Sequence, residues 1–69
     1  MTNSTIAKIK ENIKKHRISQ NLSQEKLSEI AGISTDYISL IERGKRTPSI
    51  KRLCLIAKAL NIEPYKLLM

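Results

Sequence analysis

Ile6, Ile9 and Ile13 recur at spacings of three and four, with Lys8, Lys10, Glu11, Lys14 and Lys15 on the remaining faces. This pattern predicts an amphipathic helix over 5–19. Ser4 or Thr5 is placed to cap it, and Asn21 to end it in the left-handed conformation that asparagine tolerates. Ser23 opens a second helix over 24–31, with Leu27, Ile30 and Ala31 facing inward and Gly32 supplying the positive φ of a tight turn. Ile33 then enters the core and Ser34 caps a third helix over 35–43. There Ile38 and Ile41 point inward, so Thr35, Asp36, Ser39, Leu40 and Arg43 share the outer side. Pro48-Ser49 starts a fourth helix over 49–60, with Ile50, Leu53, Ile56, Ala57 and Leu60 inward, and a last turn or short fifth helix is expected over 64–68, beginning near Pro64. The expected fold is all-α, a compact bundle of five short helices in one domain spanning 1–69.

Continuing the first stripe reaches His16 and Arg17, both polar where burial is expected. His16 is read as a partly buried neutral imidazole, because a single histidine with no other ligand type nearby makes no metal site. A buried Arg17 requires an acidic partner. Cys54 is read as a small buried residue, with no second cysteine to pair with. A 69-residue chain supplies only about 3–5 kcal/mol from one core, so a partner subunit would help.

Charge narrows the function. Lys and Arg number 13 against 6 acids, a net charge of +7, which favours a polyanion, either nucleic acid or an anionic membrane surface. No apolar run is long enough to span a bilayer, and the N-terminus lacks the continuous apolar stretch of a signal peptide, so a cytoplasmic location is expected. One His, one Cys and no clustered carboxylates offer no catalytic constellation, and no cofactor, metal or small-molecule effector is called for. A membrane-surface peptide would lack the Gly32 turn and the capped helices that follow it.

The pieces Leu22-Ser23-Gln24-Glu25-Lys26-Leu27, Ala31-Gly32-Ile33-Ser34, Tyr37-Ile38-Ser39-Leu40-Ile41-Glu42-Arg43-Gly44, and Pro48-Ser49 through Ile56-Ala57-Lys58-Ala59-Leu60 together resemble the phage-repressor and Cro type (XRE-like) of helix-turn-helix domain. The short length is also similar to the controller proteins of restriction-modification systems. His16 departs from the usual leucine of the family and Asn21 from its usual glycine. The resemblance implies a lambda-repressor-like bundle whose third helix enters the DNA major groove. It implies Gln24 against a phosphate, and an ion pair between Arg17 and Glu42 that ties the first helix to the third.

In such a domain affinity comes from phosphate neutralisation and base preference from a few side chains at the front of the groove helix. Arg43, Lys45 and Arg46 are the expected phosphate clamp. Lys51 and Arg52 face either a partner subunit or water. Thr35, Asp36, Ser39 and Tyr37 are the expected base readers: Asp36 accepts from a cytosine amino group or instead stabilises its own helix start, and Tyr37 stands at the margin of core and DNA. Leu40 meets a thymine methyl or is a tolerated exposed leucine.

Specific reading generally requires a two-fold dimer. Apolar residues left over in the C-terminal third give a dimer patch at Leu55, Ile62, Leu68 and Met69, with Leu67 finishing the core. The expected partners are therefore double-stranded DNA and a second copy of the chain. The alternative is a protein-interaction or antitoxin-like module that uses the same fold without reading DNA.

Overall fold

The computed structural model describes residues 3–69. Helix α1 spans Asn3–Ser19, α2 Gln24–Ala31, α3 Thr35–Glu42 and α4 Ile50–Ala59, and a 3₁₀ turn occupies Pro64–Leu67. Four α-helices and one tight turn thus replace the five helices expected from the pattern. Behind Pro64 only four residues are helical, a length suited to i→i+3 bonding. Ser4 and Thr5 lie inside the first turn of α1, at helical positions and not ahead of it. The other serines do cap: Ser23, Ser34 and Ser49 accept from the backbone N–H groups of Lys26, Tyr37 and Arg52, each satisfying a donor the helix leaves free.

All four helices stop in the same way. Asn21, Gly32, Gly44 and Asn61 follow them at φ values of 58°, 71°, 73° and 58°. The next residue in each case donates its N–H back into the last turn: Leu22 to Arg17 O at 3.0 Å, Ile33 to Ser28 O at 3.0 Å, Lys45 to Leu40 O at 2.8 Å and Ile62 to Ala57 O at 3.0 Å. This left-handed stop normally folds an apolar residue back onto its helix. Leu22, Ile33 and Ile62 do so and pack on the core. Lys45, in the same position after α3, is exposed.

Ile9, Ile13, Leu27, Ile38, Ile41, Ile56, Leu60 and Leu67 are fully buried and bring all four helices and the C-terminal turn into one core. Two expected core positions are corrected. Ile30 is 50% exposed, because Leu27, Ser28 and Ala31 define the buried stripe of α2 and Ile30 falls more than a quarter-turn from the centre of that stripe. Ile50 has the right angular position on α4 but is 68% exposed, since the core begins one turn later at Leu53. Cys54 is exposed, not buried; Leu53, Ile56 and Ala57 define the buried stripe of α4, and Cys54 falls more than a quarter-turn from its centre.

Polar clamps fix the long α1 against the rest. Asn12 Nδ2 donates to Leu67 O at 3.1 Å and Gln20 Nε2 to Leu60 O at 2.7 Å. Among the described residues no helix is long and apolar enough to cross a membrane.

Candidate nucleic-acid interface

The inner side of α3 is held by a buried ionic tie. Arg17 on α1 donates Nε to Glu42 Oε2 at 2.8 Å and Nη2 to Glu42 Oε1 at 2.9 Å, and its Nη1 donates to Leu22 O at 2.8 Å. The side chains are only 12% and 3% exposed, so this is a bidentate pair largely removed from water. The hydrogen bond to Glu42, opposed by burial and aided by the carboxylate's charge, raises the Arg17 pKa above its ordinary value. A raised folded pKa contributes stability that is complete below the unfolded value and is lost only as the pH rises through the folded one. Seen from Arg17, the tie therefore does not titrate near neutrality.

Gln24 joins the same cluster, donating Nε2 to Glu42 Oε1 at 3.1 Å. The first residue of α2 thus turns toward α3, where neither a phosphate contact alone nor simple solvation had placed it. One carboxylate gathers α1, α2 and α3, and it fixes how α3 is presented.

Tyr37, expected at the margin of core and DNA, is packed inward. Its side chain packs in the core with the residue 8% exposed, and its hydroxyl accepts the Ser49 N–H at 3.3 Å. The guanidinium carbons of Arg46 and Arg52 stand 4.8 Å and 5.0 Å from its ring centroid, a cation–π arrangement. Tyr37 therefore organises the basic surface from beneath. This contact also assigns Arg52, left open between a partner and water, to the same basic cluster as Arg46.

At the end of α3 the exposed residues Arg43, Lys45 and Arg46 form a basic edge, with Arg43 Nε turned back to Ser39 O at 3.4 Å. Lys10 of α1 was not singled out by its sequence context. Its stem lies across Gly44, so closely that a methyl group on Gly44 would stand 3.2 Å from Lys10 Cδ. This brings the Lys10 ammonium to Gly44, at the negative pole of α3.

The front of α3 carries Thr35, half-buried, and Asp36, exposed, with Ser39 and Leu40 half-buried one turn on. Thr35 Oγ1 lies 2.8 Å from Ser28 Oγ. The apolar residues of the C-terminal third divide: Leu67 is buried, Ile62 packs partly on the core, and Leu55, Leu68 and Met69 are exposed. An open groove lined by Cys54, Lys58, Ile62, Glu63 and Lys66 borders that region and includes no residue of α3. Among the described residues no cluster of His, Cys, Asp or Glu is arranged to hold a metal ion.

Comparison with known proteins places this geometry. The family model HTH_3, helix-turn-helix, matches residues 13–67. Control protein C.SmaI of Serratia marcescens is 45% identical over 58 residues, covering 84% of this chain and 69% of the relative. Control protein C.BamHI of Bacillus amyloliquefaciens is 39% identical over 69 residues, covering 99% and 85%. The crystal structure of the restriction-modification controller protein C.AhdI from Aeromonas hydrophila superposes with a TM-score of 0.86 at 34% identity, covering 90% of this chain and 94% of that one.

Proposed function

The chain belongs to the helix-turn-helix family HTH_3, and from that premise we propose that it is a transcriptional regulator of the controller-protein kind. It binds double-stranded DNA with α3 in the major groove. The observation that carries this reading is the two-sidedness of α3. Its inner side is fixed by Arg17, Glu42 and Gln24, while its outer side runs without interruption from Thr35 and Asp36 to the basic edge at Lys45 and Arg46. Thr35, Asp36 and Ser39 contact base edges, and Arg43, Lys45 and Arg46 contact phosphates. Gln24 contributes to the phosphate set through the amide hydrogen that Glu42 does not use.

The protein acts as a homodimer on a pseudo-palindromic operator with half-sites roughly 34 Å apart. Leu55, Ile62, Leu68 and Met69 contribute the dimer surface; the exposure of three of them and their separation from α3 support this assignment. A monomer at high micromolar concentration, with and without DNA, would overturn it. The chain works in the cytoplasm as a non-enzymatic regulator, and the reading calls for no cofactor.

Selection of bound sequences from random duplex DNA tests the proposal. A palindromic motif with steep salt dependence is the expected result. Weak, sequence-blind binding with no enriched motif would contradict it and point instead to a protein-interaction module.

A further inference from the structure

The hydroxyl hydrogens between α2 and α3 can be assigned from their partners. Ser28 Oγ stands 2.7 Å from Glu25 O and 2.8 Å from Thr35 Oγ1. A carbonyl oxygen only accepts, and a serine hydroxyl has a single hydrogen. That hydrogen therefore goes to Glu25 O, and the bond between the two hydroxyls is donated by Thr35. Both contacts are satisfied only in this arrangement. Reversing it would leave buried Ser28, 6% exposed, facing the Glu25 carbonyl without a hydrogen, and would forfeit one of the two bonds.

From this chain of donors we infer that Thr35 meets DNA as an acceptor, and that Ser28 is the positioning residue that makes it one. A free threonine hydroxyl donates or accepts as its neighbour requires and so discriminates poorly. Thr35 has its hydrogen committed inward and offers only lone pairs. Asp36, the next residue at the front of α3, offers a carboxylate, also an acceptor. The leading edge of the helix is therefore complementary to exocyclic amino groups, adenine N6 or cytosine N4. It opposes guanine O6 and thymine O4 by setting acceptor against acceptor. Asp36 is an acceptor by its own chemistry, whereas at Thr35 the preference is set by a buried serine on the neighbouring helix.

The inference rests on the DNA-reading role of α3, and the test separates the two. Sites are selected with the full chain, and binding is compared on duplexes in which one adenine is replaced by purine, or one cytosine by 2-pyrimidinone, deleting the amino group alone. At one position per half-site the wild type loses about fivefold in affinity. Ser28→Ala frees the Thr35 hydrogen while retaining the helix, and there the same deletion costs less than about twofold, with guanine or thymine becoming acceptable at that position. Thr35→Val abolishes the discrimination in both backgrounds.

Specific binding in which Ser28→Ala keeps the wild-type ranking would overturn this inference and leave the regulator reading standing. So would a wild type indifferent to the missing amino group at every position that Thr35→Val affects. Failure to enrich any duplex would overturn both.

Discussion

Glu42 and Lys45 are three residues apart and leave the end of α3 in opposite directions. Glu42 turns inward, where Arg17 and Gln24 satisfy a carboxylate that is 3% exposed. Lys45 turns outward from a stop whose equivalents after α1, α2 and α4 bury Leu22, Ile33 and Ile62. The four stops share a left-handed residue and the same returning N–H bond; after α3 alone the residue that follows is charged. On the inner side charge is used up in fixing the helix, and on the outer side it stays available to a partner. Arg17 and Glu42 neutralise each other within the fold, so the net charge of +7 is carried by the side chains outside this pair.

The largest expected effect comes from breaking the inner side. Arg17→Ala leaves Glu42 buried without its cation and costs about 3 kcal/mol or more. That is comparable with the whole stability of a core this size, so thermal melting should show a variant near unfolding at ambient temperature. A melt that matches wild type would show that the tie contributes nothing. Next comes the stop itself. Gly44→Ala forces a side chain into φ 73° and against Lys10, costing about 1–2 kcal/mol in chemical denaturation. Gly32→Ala pays the same conformational penalty without a neighbour within 4 Å of the added methyl, so any excess loss at Gly44 measures the Lys10 contact.

A smaller loss, about 1 kcal/mol, is expected for Tyr37→Phe, which removes the acceptor of the Ser49 N–H but keeps the ring beneath Arg46 and Arg52. Denaturant titration should register it. Tyr37→Leu should in addition weaken DNA binding through the displaced guanidiniums.

Much of this arrangement is legible in the sequence, and the part that is not has a common cause. The extent of α2, the caps at Ser23 and Ser34 and the stops at Asn21 and Gly32 follow from local rules, because a cap or a left-handed residue acts within a few positions of itself; Ser49, expected as the first helical residue, proves to be a third cap. Contacts between elements do not repeat with a period. Ser28 reads as polar and outward, yet it is buried, since Glu25 O and Thr35 satisfy its hydroxyl; Ile30 is displaced outward as a result. Lys10 over Gly44 and Gln24 on Glu42 join residues far apart in the chain and leave no local signal. Tyr37 stands at the edge of the apolar stripe of α3, so its position alone leaves it between core and groove, and its contacts with Ser49, Arg46 and Arg52 leave no local signal. The meeting of Arg17 and Glu42 across 25 residues is suggested by family resemblance alone, since an arginine in an apolar stripe announces only that it needs some acid.

The smallest effect on stability is the sharpest test of the division between the two sides. Lys45→Ala should change folding stability by no more than about 0.5 kcal/mol. The decisive measurement is the slope of log Kobs against log salt for the selected duplex, taken with wild type and Lys45→Ala. Removing one phosphate contact should make the slope shallower by about 0.9 while leaving the ranking of sequences unchanged. An unchanged slope, or a changed ranking, would contradict the assignment of the outer side of α3's end to the DNA backbone.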